Sequence, residues 1–218
     1  MTTTVSRSDQ VQVGALALLG ELNIPPDPAA LVLLADGNNS GRLTAHGRRV
    51  VAVLHRHRIA TLSFDLLTDD QTARRREAFG IVALSECIKD AVDWVGLRPD
   101  LAGLRLGLFG DDAGAAAALL VAAQRPGSVA AVVSQSGRPD LAADCLARVD
   151  APTLLIVGGE DSHVIEINRA ALRLLRCHKR LEVVPGATRL FEQPGALEAA
   201  AELASDWFER QLVDGRHM

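Results

Sequence analysis

The chain has 218 residues, a formal net charge of −4 and 48% apolar residues. That length and apolar share suit one α/β domain with a large core, and the acidic balance gives no support for a nucleic-acid surface. With two Trp, five Phe and no Tyr, the core must be filled by aliphatic side chains and alanine.

Residues 1–10 are polar and read as a flexible N-terminus without the apolar stretch of a signal peptide. Val11–Val13 and Ala15–Leu19 suit a hairpin around Gly14, ended by Pro25, Pro26 and Pro28. Ala30–Leu34 is a continuous apolar run, the pattern of a strand buried on both faces. The loop Asp36-Gly-Asn-Asn-Ser-Gly41 follows, then helical spacing over 44–57 and a strand over Ala60–Phe64. The basic run Ala73–Glu77 reads as a solvated helix face. Next come a helix over 77–96, a strand over 104–109, a helix over 113–124 and a strand over 129–134. Pro152–Val157 is a strand, 163–176 a helix, Leu181–Val184 a strand, and a final helix runs to 212 before a tail at 213–218.

Strands alternating with helices specify a mostly parallel central sheet with helices on both faces. The pattern covers 11–212 as a single domain. The segment Gly137–Asp150 is too short to hold a cap domain. No apolar run reaches the roughly 18 residues that span a bilayer, so no membrane association is expected. Three scattered cysteines, Cys87, Cys145 and Cys177, lack C-x-x-C spacing and suit a reducing compartment. They read as small apolar fillers in a cytoplasmic protein.

Sites in such sheets lie beyond the carboxyl ends of the strands. Those ends carry Asp36, Asp65, Asp112, Ser134, Asp161 and Arg189. The stretch LGLFGDDAGAAAALL, Leu106–Leu120, reads as a strand, a glycine-framed turn and an alanine-rich helix. Gly110 and Gly114 bracket the turn as glycines do in G-x-S-x-G, but Asp112 stands where the serine would be. Gly158-Gly-Glu-Asp161 follows a later strand, and Pro185-Gly-Ala-Thr-Arg189 follows the last one. The chain order of nucleophile, acid and base positions is that of an α/β-hydrolase.

On these segments, with Asp65-Leu-Leu-Thr68, Ser136-Gly-Arg-Pro-Asp-Leu141 and Trp207-Phe208, the chain resembles the small, lidless α/β-hydrolases of the dienelactone-hydrolase-like family. The resemblance implies an α/β-hydrolase fold and catalytic places reading G-x-S-x-G, G-G-x-D and G-A-T-H. Asp161 keeps the acid. Asp112 replaces the serine and Arg189 the histidine. The family's His-Gly after the first long strand is Asp36-Gly37 here. In the family that loop, here with Asn38, supplies one backbone N–H of the oxyanion hole, and the residue after the nucleophile, here Ala113, supplies the other, so the resemblance implies these as oxyanion and pocket positions.

Arg189 stays protonated and cannot be a base, and Asp112 has no hydroxyl to activate. Serine-type ester or lactone hydrolysis is therefore not expected. Three readings stay open. An Asp112–Arg189–Asp161 array runs acid–base chemistry, such as epoxide opening or cyclisation, on a small organic substrate. The site is dead, leaving a pseudoenzyme that binds a ligand or partner. Asp112 is a nucleophile assisted by His163, as in the epoxide-hydrolase and haloalkane-dehalogenase branches of the fold. Asp65 reads as a pocket residue or a helix N-cap. Ser134, Gln135, Ser136 and Arg138 follow the strand that faces the pocket, with Arg138 expected to tie down its own loop. Gly107, Gly110 and Gly114 lack dinucleotide spacing, so no such cofactor is expected, and no cluster has metal-ligand spacing. The oligomeric state is left open, a homodimer included.

Overall fold

The structure, a computed structural model, describes residues 6–35, 45–64 and 80–214, with Ala45 and His46 by their backbone alone. The expectations placed on Asp36, Gly37, Asn38, Asp65, the Ala73–Glu77 run and the end of the tail lie outside the described residues.

The described chain forms an eight-stranded sheet in the order β1-β2-β4-β3-β5-β6-β7-β8. β1 (Arg7–Val13) and β2 (Leu18–Ile24) form an antiparallel hairpin, and β2 pairs antiparallel with β4 (Ile59–Phe64). β3 (Ala30–Ala35), β5 (Arg105–Asp111), β6 (Ala131–Gln135), β7 (Thr153–Gly158) and β8 (Lys179–Val184) complete it in parallel with β4. All six residues of β3 are buried, as its unbroken apolar run requires.

Helices cover both faces. One face carries α2 (Ile81–Gly96), α3 (Asp112–Gln124) and α4 (Ser162–Leu174). There Ile88 and Leu119 of the helices share a core with Leu108 and Leu155 of the sheet. The other face carries α1 (Ala45–Arg56) and α5 (Ala196–Phe208) over Val32, Phe109, Val133 and Ile156. α3 is buried almost all round, at Gly114, Ala115–Ala118, Leu119, Val121 and Ala122, so it has no polar face to present. Its alanines fill the part of the core that aromatic residues would otherwise occupy.

Several boundaries differ from the sequence expectation, among them the end of β2, at Ile24 rather than Leu19, and the start of β8, at Lys179 rather than Leu181. β1 begins at Arg7 rather than Val11, because an edge strand pairs on one side and needs no apolar run. β2 begins at Leu18, since Gly14–Ala17 make the turn, closed by the Ala17 N–H donating to the Gly14 carbonyl at 3.1 Å. The segment after β6 is a 3-10 helical stretch, Pro139–Arg148, which buries Ala142, Cys145 and Leu146. No cap rises from it. No helix among the described residues is long and apolar enough to cross a membrane.

Candidate active site

The elbow forms where β5 passes directly into α3. Asp112 takes up the reversal alone, with φ +44°. Aspartate tolerates this left-handed region better than most residues. Gly110 is required by close approach, since a Cβ there would lie 2.6 Å from the backbone N and Cα of Ala115. Ala113 follows in the first turn of α3, half-buried.

The acid and base positions are brought beside the elbow by a backbone lock. The Gly159 N–H donates to Val184 O and the Glu160 N–H to Ala187 O, both at 2.9 Å. Gly158 lies against the same loop, where a Cβ would sit 2.4 Å from Thr188 O. The loop after β8 thus rests on the loop after β7.

Arg189 meets Asp112. Its Nη2 lies 2.8 Å from Asp112 Oδ2, with the two side chains 46% and 36% exposed. Asp161 does something else. It is the N-cap of α4, its Oδ1 accepting the Val164 N–H at 3.0 Å. Among the described residues it forms no ion pair with Arg189. The structure therefore brings together two members of the expected array and places the third on the adjacent helix terminus. Replacing Asp161 by alanine should cost about 1 kcal/mol of helix capping, or roughly 2–4 °C of Tm, read by calorimetry. A Tm unchanged within about 0.5 °C, below the roughly 2–4 °C that a lost cap implies, would remove the capping role.

Arg138 ties down its loop as expected. Its Nε and Nη2 donate to the two oxygens of Asp140 at 2.9 and 2.7 Å. These bonds hold the Asp140 carboxyl below the usual carboxylate range, with a smaller contribution from the His163 charge. Arg138 keeps its proton more firmly, chiefly through Asp140, and the Asp112 charge acts in the same direction. Asp112 thus lies in the field of two arginines. His163, exposed at the start of α4, is felt by Asp140.

Ser134 is fully buried, and its hydroxyl has no hydrogen-bond partner among the described residues. Gln135, 1% exposed, shares that state at both amide atoms. Ser136 adopts φ +43° and donates its hydroxyl to the Arg189 carbonyl at 2.9 Å. The sequence places these three near the site but carries no signal for that bond or for the orphaned amide. Burial pushes the thiols of Cys87, Cys145 and Cys177 up, which does not suit a thiolate nucleophile.

This sheet order, with a strand–turn–helix elbow and its partners after β7 and β8, defines an α/β-hydrolase whose elbow carries a carboxylate. Residues 58–212 match the model of the Dienelactone hydrolase family, and the chain belongs to that family. A dienelactone hydrolase from Anabaena variabilis is 45% identical, with a TM-score of 0.91 over 96% of this chain and 100% of that one. Est1E from Butyrivibrio proteoclasticus, at 15% identity, shares the fold with a TM-score of 0.77 over 95% of this chain and 99% of its own. A Mycobacterium tuberculosis protein named putative phosphoribosyl transferase is 46% identical over 204 residues, 93% of this chain and 46% of its own length. The chain spans about half the length of the curated relatives it matches.

Proposed function

We propose that this chain is a dienelactone-hydrolase-family protein that has left serine catalysis and uses the elbow to bind a small polar organic molecule. The observation that carries this reading is the Asp112–Arg189 ion pair at 2.8 Å. It occupies the nucleophile and base positions with groups that can neither attack as an alkoxide nor accept a proton as an imidazole. The pair is half-exposed, so it presents a carboxylate acceptor and guanidinium donors side by side to an entering ligand. Hydroxyl and amide groups fit such a surface. The name of the Mycobacterium tuberculosis relatives makes ribose 5-phosphate the first compound to test. The reading takes a small organic molecule as partner, the cytoplasm as place of action, and neither nucleic acid nor membrane as target.

The test has two arms. A fluorophosphonate probe should leave every serine unlabelled, and ribose 5-phosphate titrated by calorimetry should bind at least tenfold more weakly to the Arg189→Ala variant. Stoichiometric labelling of a serine would overturn the loss of serine catalysis. Equal binding to both proteins would remove Arg189 from the recognition of that compound.

One observation favours a second reading. Asp112 keeps the left-handed elbow conformation, at φ +44°, which aims an attacking group away from the sheet and costs of order 1–3 kcal/mol in most residues. In that reading a carboxylate oxygen of Asp112 attacks an epoxide carbon. The C–O bond of the ring breaks, its oxygen takes a proton from water, and an ester remains on Asp112. Arg189 cannot activate water to cleave that ester, so mass spectrometry after incubation with styrene oxide should find the adduct on the Asp112 peptide. An unmodified peptide with no diol released excludes this reading, whereas diol without adduct would mean that a base such as His163 cleaves the ester.

A further inference from the structure

Two features of the segment after β6 converge on the ion pair. Ser136 donates its hydroxyl to the Arg189 carbonyl at 2.9 Å. Two residues on, the Arg138 N–H donates to the Asp112 carbonyl at 3.1 Å. A three-residue stretch thus grips the backbone of both partners. The stretch is itself anchored, since the Ser136 N–H donates to Ile156 O of β7 at 2.8 Å.

We propose that Ser136 is the positioning residue of the site, holding Arg189 against Asp112 through the Oγ bond to the Arg189 backbone. The proposal rests on the reading of this pair as the site's working element.

Ser136 has φ +43° and is 6% exposed. Glycine would adopt that backbone without strain. Serine brings to the same place a hydroxyl, and that hydroxyl is spent on the loop carrying Arg189. The physical need for it follows from the pair's exposure. In a half-exposed pair the Coulomb attraction is weak and salt-screened, and a long arginine side chain loses rotamer freedom to hold one geometry. Where the two backbones stand then decides whether the charges meet. Arg138, with its guanidinium committed to Asp140, fixes the Asp112 side, while Ser136 fixes the Arg189 side.

The experiment is a thermal double-mutant cycle on Asp112→Ala and Arg189→Ala, run in three backgrounds: the unaltered chain, Ser136→Ala and Ser136→Gly. In the unaltered chain the two changes should be non-additive by about 1–3 °C. In both Ser136 backgrounds that coupling should fall below about 0.5 °C, a measurable collapse at this domain size. Ser136→Gly should melt no lower than Ser136→Ala, because it relieves the left-handed strain while lacking the same hydroxyl. A merely structural serine would lower all four proteins of a cycle together and leave the coupling intact, and that result overturns the proposal. Absence of coupling in the unaltered chain overturns the pair itself, so the two failures are told apart.

Discussion

Ester hydrolysis should appear only when Asp112→Ser and Arg189→His are combined. The elbow is already built: Asp112 sits at φ +44°, and Gly110 packs against the backbone of Gly114 and Ala115. Side chains from positions 112 and 189 already reach each other, as the 2.8 Å ion pair shows. The acid position is populated, though Asp161 now uses Oδ1 to cap α4 and would have to orient the imidazole with its other oxygen. Arg189→His alone provides a base with no hydroxyl to activate. Asp112→Ser alone provides a hydroxyl facing a guanidinium that cannot take its proton. The expected result on p-nitrophenyl acetate is a rate for the double variant at least ~10²-fold above either single one, with fluorophosphonate labelling at position 112. It should still fall short of a native serine hydrolase, since Asp36-Gly37 stands where the family reads His-Gly and the loss of one oxyanion donor costs on the order of 10²–10³ in rate. Strong activity from Arg189→His alone would show that another nucleophile operates.

Gly158→Ala should be among the most damaging single substitutions in the sheet. Its Cβ would lie 2.4 Å from Thr188 O, 2.5 Å from Ala187 O and 2.7 Å from Thr188 C. All three are backbone atoms, so no side-chain rotation makes room. Overpacking of this kind costs about 1–3 kcal/mol or more, and each kcal/mol moves Tm by roughly 2–4 °C at this size. A loss of about 2–12 °C is therefore expected in a calorimetric melt. The loop that must yield is the one carrying Arg189, so the coupling between Asp112 and Arg189 should disappear as well. Gly80→Ala is the control, since nothing lies within 4 Å of a Cβ there and its φ is −59°. A Gly158→Ala protein that melts with the parent would mean that the two loops do not touch.

The exposure of the ion pair also sets the scale of a simpler experiment. A fully buried pair broken by Asp112→Ala would cost about 3–5 kcal/mol. With side chains 46% and 36% exposed, solvent screens both charges, and the loss should be nearer the ~0.2–1 kcal/mol of surface pairs.

The sequence by itself determined the alternation of strands and helices, the elbow at Asp112, and the absence of serine and histidine from their expected places. These were legible because buried parallel strands are continuous apolar runs and because the glycines that frame the turn are local requirements. Chemical identity is likewise local: Arg189 cannot be a base in any fold. Tertiary structure alone decided which charges meet. Asp161 and Arg189 sit on neighbouring loops, yet Asp161 turned to the nearest unsatisfied helix N–H, at Val164, because an N-terminal amide competes with a distant guanidinium for the same oxygen. The polar start of the edge strand at Arg7 is illegible for a related reason, since its register comes from β2 rather than from its own pattern. The Ser136 bond to Arg189 O joins residues 53 apart. No spacing rule encodes it, because it exists only once β6 and β8 have been laid into the same sheet on either side of β7.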